Sequence, residues 1–328
     1  MLDILSIGDA TLDTFVRIHE ASLNSVDGKK TRQLCLNFGD KLPVSSLHEK
    51  VAGNALNNAV GAARLGMKAG FYSVIGDDDT GAQIVKKMRK ERISLKYLKV
   101  QKRSATNHSI VINFEDDRTI LTYSHPRKYE LPTDLEPARW IYYTAIGKKH
   151  TELEKQIVKY AGRNHAKIAF NPGTAHLKEG VSHMREILRH TEVIFVNREE
   201  AEILVGDGTD IPSLLYRLHE VGPHLAVITD GKNGAYASNS VNIYYLPVFP
   251  VKVVENTGAG DAFATGFLAG LFHGLHVSEA MRWGAANSAS VIGKIGPQDG
   301  LLTLAELKSM LSRHKRVKAK TLNGAVKK

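Results

Sequence analysis

The sequence predicts an α/β protein: a mostly parallel central sheet covered by helices, with a small β-sheet lid. Three observations carry this. Short apolar, β-branched runs alternate with longer helical patterns, the signature of βαβ units. The runs end in Gly, Asn or Asp, and open α/β sheets place ligands at those strand ends. Two regions break the rhythm and read as strand, turn, strand.

In order, DILSIG (3–8) is the first strand, NALNNAVGAARLG (54–66) a helix, AGFYSVIG (69–76) a strand and TGAQIVKKMRKE (80–91) a helix. WIYYTAIG (140–147), AKIAFNP (166–172), EVIFVN (192–197) and LAVITDG (225–231) are further strands. The first interruption lies between FVRIHE and KLPVSS; the second runs from LKYLKV through NHSIVINFEDDRTILTY, with EDDR as the turn of a hairpin. We read them as one small sheet built from about 15–50 and 97–125, either a lid over a site or an ordinary extension of the main sheet. The expected division is one domain over 1–310 and a basic tail over 311–328.

Composition narrows the function classes. Apolar residues are 43% and charged residues 24% of 328, as in globular proteins, which excludes a disordered chain or a fibre. A single cysteine, Cys35, excludes an intrachain disulfide and a cysteine-rich metal site, and favours a reducing, cytoplasmic setting. The start, MLDILSIGDATLD, lacks the basic and apolar regions of a signal peptide, and no uncharged apolar run is long enough to span a membrane. The net charge of +10 is uneven: eight Lys/Arg and no Asp/Glu lie between Lys308 and Lys328, leaving +2 for the rest. Nucleic-acid binding is therefore expected, if at all, only through this tail.

The stretch VENTGAGDAFATGF (254–267) is the most informative. Ala262, Ala264, Phe267, Leu268 and Leu271 recur at helical spacing, so a helix starts near Ala259 or Gly260. Its first N–H groups form an anion site, which Gly258 and Gly260 leave unobstructed. Asp261 makes chemical sense there if the anion is a phosphoryl group in transit and the carboxylate takes the proton of the attacking hydroxyl. A Gly-rich helix cap with a capping aspartate is the plainer alternative. No segment has Walker A spacing, and a dinucleotide motif would need glycine where Phe263 stands.

TGAGDAF, AGNALNNAVGAARLG, SIGDATLD, VNREEAEIL and VITDGKNGAYA together resemble the ribokinase-like (PfkB) family of carbohydrate and nucleoside kinases, from about Ile4 to Leu307 and in the family's order. The resemblance implies a three-layer α/β/α sandwich with a β lid, and ATP-dependent phosphorylation of a hydroxymethyl group of a small sugar. A nucleoside kinase of the same fold, or a non-catalytic sugar or nucleotide binder, are the alternatives. It implies that Asp261 is the general base and that Gly258, Ala259 and Gly260 form the anion hole. Asp13, Gly53 and Asn57 match acceptor-binding positions; Asn197, Thr229, Gly231, Gly234 and Asn287 match the nucleotide side. Asn197 and Glu200 match the motif that organises Mg2+, through water. Two copies pairing through the lid are also implied.

The chain departs from the family in places. Glu255-Asn256-Thr257 stands for Asp-Thr-Thr, at the loop that binds potassium in relatives, so Glu255 is the candidate for a monovalent cation such as K+. Ala52 and Asn54 replace glycine and lysine, and TAIG, ending at Gly147, lacks the acid that ribokinases use to hold ribose. Arg118, His125, Arg127 and Lys128 fall in or near the second lid segment, where they either meet an anionic sugar or are solvated. Phe15, Phe38 and Phe114 are candidates for a nucleoside-base wall or for the lid's own core. The scattered histidines, His108 and His125 among them, lack metal-ligand spacing and are expected as ordinary polar or core residues.

Overall fold

A computed structural model describes residues 1–25, 32–115, 117–147, 150–206 and 210–322. Strand β1 (Leu2–Ile7) opens the central sheet, and β2 (Thr11–Ile18) leaves it at once. A separate hairpin, β3 (Ser22–Ser25) and β4 (Arg32–Cys35), precedes β5 (Val44–Ala52), which returns antiparallel to β2. Then come α1 (Asn54–Arg64), β6 (Ala69–Gly76), α2 (Asp79–Lys90), β7 (Leu98–Gln101) and the hairpin β8 (Asn107–Phe114) and β9 (Asp117–Tyr123). The next stretch alternates: β10 (Ala138–Tyr143), α3 (Thr151–Asn164), β11 (Lys167–Phe170), α4 (Thr174–Glu179), α5 (Val181–Arg189), β12 (Thr191–Asn197). Helices α6 (Arg198–Val205) and α7 (Ile211–Glu220) lead to β13 (Leu225–Thr229), β14 (Ala235–Ser238) and β15 (Ile243–Leu246). Helices α8 (Ala259–Phe272), α9 (Val277–Ile292) and α10 (Leu304–Arg313) and strand β16 (Lys320–Leu322) follow.

The central sheet has ten strands in the order β16-β15-β14-β13-β12-β11-β10-β1-β6-β7, parallel from β12–β13 across to β7 and antiparallel beyond β13. The lid is a four-stranded sheet, β5-β2-β8-β9. Both faces of the central sheet are covered, which is why its strands read as continuous apolar runs. Leu5, Ile7, Tyr143, Ile168 and Phe170 pack towards α3, α5 and α7 through Ile157, Ile187 and Leu214. Their neighbours Ile4, Tyr142, Ala169, Val193 and Phe195 point the other way, onto Phe263, Phe267, Met281 and Ala286 of α8 and α9. Each such fully buried side chain contributes about 1.5–3 kcal/mol. Helices α8 and α9 touch backbone to backbone, since a Cβ on Gly266 would lie 2.5 Å from the Trp283 carbonyl oxygen.

Two boundaries are corrected. Leu98–Gln101, expected in the lid, pairs parallel with β6 at the edge of the central sheet, whereas the lid begins at Thr11. Strand character in a sequence does not specify which sheet a strand joins. The chain after 310, expected as a separate tail, stays on the fold as far as it is described: α10 runs to Arg313, Arg282 Nε donates to the Val317 carbonyl at 2.7 Å, and Lys320–Leu322 extends the sheet beside β15. The remainder, 323–328, lies outside the described residues. Among the described residues, no helix is long and apolar enough to cross a membrane.

Candidate active site

The site lies at the carboxyl ends of the central strands, beneath the lid. Gly258 caps α8 with φ +81°, and a Cβ there would come within 2.4 Å of Pro297 Cβ, so both backbone and space demand glycine. No side chain caps α8, and the space beside Gly260 is open. Ala259 N donates to the Asn256 carbonyl at 3.3 Å, so Gly260 and Asp261 carry the N–H groups left at the positive end of this 14-residue helix. Glu255 shapes the approach: its Oε1 accepts from Thr257 N at 2.9 Å and Thr257 Oγ1 at 2.6 Å.

Asp261, in the first turn of α8, is 7% exposed. Its Oδ2 accepts a hydrogen bond from Asn57 Nδ2 at 2.8 Å. Burial is the main force on its proton and pushes the carboxyl up to about 7; the Asn57 bond and the Tyr142 hydroxyl counter it, while the charges of Glu200 and Asp13 add to it. A carboxyl near 7 can accept a proton at neutral pH and stay ionised often enough to do so. The backbone around it is braced from behind. Thr265 Oγ1 donates to the Asp261 carbonyl at 2.6 Å, Asn58 Nδ2 to Thr265 Oγ1 at 2.9 Å, and Ser6 Oγ to Asn58 Oδ1 at 2.7 Å.

Asp13 projects from the lid strand β2 into the same region, 8% exposed, with Thr11 Oγ1 donating to it at 2.7 Å. Burial holds its carboxyl above the usual range, and the Glu255 charge adds to that. Gly53 caps α1 at φ +107°, where a Cβ would meet the Asp9 carbonyl at 2.4 Å, so the chain crossing between β1 and the lid needs glycine here. Asn57, which as an isolated residue reads as a helix-surface position and by resemblance as an acceptor ligand, is instead 3% exposed and has its amide engaged by Asp261 and by Gln298 Nε2 at 2.9 Å.

The residues expected on the nucleotide side lie at and after the ends of β12 and β13, where Asn197 pairs in register with Thr229. Asn197 and Glu200 form a capping box: Glu200 N donates to Asn197 Oδ1 at 2.8 Å and Asn197 N to Glu200 Oε2 at 2.9 Å. Burial raises the Glu200 carboxyl, and its charge reaches Asp261. Gly231 opens onto free space, and Gly234 turns the chain at φ +96° against the Leu246 carbonyl. Asn287 is the exception. Its side chain is fully buried, donating to the Ala262 carbonyl at 2.8 Å and accepting from Leu302 N at 3.0 Å, so it locks α9 to α8.

Among the basic residues near the lid, Arg118 reaches across to Glu255 Oε1 at 3.9 Å, while Glu255 Oε2 and Arg118 Nε lack hydrogen-bond partners among the described residues. Arg127 is an anchor, donating to Ser104 Oγ at 2.7 Å and to the Ala105 carbonyl. Lys128 forms an exposed pair with Glu130, and His125 docks its backbone N–H on Asn107 with its ring Nδ1 3.4 Å from the Tyr123 hydroxyl. Phe15 is buried in the lid, Phe114 half-buried and Phe38 fully exposed.

A second buried polar cluster lies behind the β10 loop. His150 Nδ1 is 3.0 Å from Glu154 Oε1 and its Nε2 is 3.3 Å from Glu179 Oε2. His176 Nδ1 accepts from Gly173 N at 3.1 Å, which puts its proton on Nε2, facing Glu154 at 3.4 Å and the Tyr143 hydroxyl at 2.9 Å. These histidines are core residues in a hydrogen-bonded network. Sequence reasoning missed Asn58, Thr265, Tyr142 and Gln298; the doubled Asn57-Asn58 in an otherwise apolar helix was the one usable signal.

The pfkB family carbohydrate kinase pattern matches residues 20–304. A 5-dehydro-2-deoxygluconokinase from Geobacillus kaustophilus is 28% identical over 287 residues, covering 81% of this chain and 85% of that one. Ribokinase of Arabidopsis thaliana, solved with ribose and ATP, superposes with a TM-score of 0.78 at 17% identity, over 94% of this chain and 98% of that one. A nucleoside kinase of Methanocaldococcus jannaschii, described as an archaeal member of the ribokinase family, gives 0.73 at 21% identity, over 96% and 99%. The two structures share this fold.

Proposed function

The chain belongs to the pfkB family of carbohydrate kinases, and from that premise we propose that it transfers the terminal phosphoryl group of ATP to a hydroxymethyl group of a small sugar. One observation carries this reading: a buried carboxylate poised near neutrality, Asp261, stands in the first turn of an uncapped helix. A binding protein has no use for that pairing. A kinase has, because phosphoryl transfer needs a base on the acceptor and donors on the moving charge.

Asp13 holds two acceptor oxygens from the lid side, and Gly53 lets the acceptor approach the backbone. Asp261 takes the hydroxyl proton as the new O–P bond forms and the bond to the departing ADP breaks. The N–H groups around Gly258, Ala259 and Gly260 receive the charge on the transferring oxygens. Thr229, Gly231 and Gly234 cradle the nucleotide, Gly231 having open space for it. Glu200 keeps one oxygen outside its capping box, so Glu200 and Asn197 fit Mg2+ held through water, where the ion neutralises phosphate charge. The unpartnered Glu255 Oε2 fits a monovalent cation such as K+, although Arg118 already brings positive charge to that carboxylate. A sugar is favoured over a nucleoside because Phe15 is buried within the lid and Phe38 faces solvent, which leaves only Phe114 to flank a base.

The outer lid face supports pairing of two copies. Leu47, Ile110, Leu121 and Tyr123, 40–58% exposed, lie on the side opposite Asp13 and Ser109.

The test is ATP consumption with magnesium across free sugars, sugar phosphates, sugar acids and nucleosides, with Asp261→Asn as control. Turnover on one class that vanishes in the variant establishes the kinase and its acceptor. Full turnover in the variant sinks the assignment of the base.

A further inference from the structure

Four consecutive residues, Gly296 to Asp299, touch three separate parts of the site. Gly296 lies against the lid strand, where a Cβ would come within 2.7 Å of Lys50 Cγ, and Lys50 Nζ bonds Asp299 Oδ2 at 2.6 Å. Pro297 fills the space beside Gly258, at the anion loop. Gln298, 2% exposed, donates from Nε2 to Asn57 Oδ1, and Asn57 donates from Nδ2 to Asp261 Oδ2. The loop is itself fixed. Arg64 Nη1 donates to the carbonyls of Gln298 and Leu301, both at 2.9 Å, while the same guanidinium grips Glu91 at 2.7 and 3.0 Å.

The polarity of this relay follows from the groups in it. An ionised carboxylate only accepts, so Asn57 must turn its NH2 towards Asp261. Its carbonyl then faces Gln298, which must answer with its own NH2. Reversing either amide would set oxygen against oxygen between two buried side chains. Gln298 thus decides which way Asn57 points.

We infer that Gln298 is a positioning residue for phosphoryl transfer: by fixing the Asn57 amide it holds the Asp261 carboxylate in place, and through its neighbours it ties the lid strand to that carboxylate. The inference rests on Asp261 being the base proposed above. It assigns Asn57 to the base rather than to the acceptor.

Gln298→Met keeps the length of the side chain and removes the amide. We expect kcat to fall about tenfold with the KM values for ATP and acceptor little changed, as for a lost hydrogen bond to a charged group. The acid limb of the rate profile should move up by about half to one pH unit, because losing a donor disfavours the ionised carboxylate. The same shift should appear without any acceptor, in the 13C carboxyl resonance of Asp261 followed against pH in the full chain and identified by its absence in Asp261→Asn. An unmoved resonance and unchanged kcat would make Gln298 a packing residue. A raised acceptor KM at constant kcat would make it a binding residue. Should Gln298→Met not fold, Asn57→Leu must shift the resonance in the same direction, and its failure to do so overturns the relay. If Asp261→Asn retains turnover, the underlying reading fails; if it is inactive while Gln298→Met is unshifted, only the relay does.

Discussion

Asp261 and Glu154 are both buried carboxylates, 7% and 3% exposed, and they sit at opposite ends of the proton scale. Burial pushes each upward. At Asp261 little resists, since its bonding partner is a neutral amide, the nearby Tyr142 is uncharged and its charged neighbours are carboxylates, so it reaches about 7. At Glu154 the hydrogen bonds of His150 and His176, and their charge, more than offset burial and bring it down to about 2. The difference lies in the partners: one carboxylate is left able to take a proton, the other is held charged as part of the scaffold.

The largest expected effect tests the first half of this comparison. Asp261→Asn should lower kcat about 10²–10⁴-fold, the range for loss of a general base, with nucleotide binding kept in a calorimetric titration. The second half is tested by Glu154→Gln, which takes the carboxylate away from the buried His150 and His176 imidazoles. Removing one partner of a buried pair costs about 3–5 kcal/mol, read from the urea midpoint, and kcat per folded molecule should stay as it is. A fall in kcat at unchanged stability would place Glu154 in the chemistry and break the contrast.

A third test uses pH. Glu154 is lowered from 4.5 to about 2, so its stabilisation is full above the unfolded value and is lost as pH falls towards 2. The Tm gap between wild type and Glu154→Gln should therefore close over that window. Asp261 is raised from 3.8 to about 7, so keeping it buried costs nothing below the unfolded value, progressively more as pH rises from there to the folded value, and a constant amount above it. Asp261→Asn should match wild type in Tm in acid and exceed it above neutrality. The smallest effect is that of Tyr142→Phe, which removes a hydroxyl whose influence opposes burial at Asp261 and should move the acid limb up by only a few tenths of a pH unit.

Much of this was legible in the chain. The alternation of strands and helices follows from burial on both faces of the sheet, and the start of α8 at Ala259 follows from the helical spacing after Gly258. What stayed hidden depends on contacts between distant segments. Leu98–Gln101 has strand character, but only the place of β6 draws it into the central sheet. Lys320–Leu322 is too short and polar to show a period, and its pairing with β15 is set by tertiary placement. Asn287 and Asn57 sit on helices as the family motifs suggested, yet which neighbour each amide meets is decided by how α1, α8 and α9 cross. Gln298 belongs to no motif, and its role emerges only where residues 57, 261 and 298 converge.

The strand β16 also gives the positive excess of the C-terminal region a meaning beyond charge. An open sheet ends in two rows of unpaired N–H and C=O groups, to which a strand of another molecule can add. Here one edge is the three-residue β16 bearing Lys320, with Lys318 just before it, and the other is the four-residue β7 bearing Lys99. Stacking a foreign strand on either edge would strip water from an ammonium group. Short edges guarded by lysine are gatekeepers against aggregation, so a chain with these residues neutralised should scatter light sooner on concentration, at unchanged turnover.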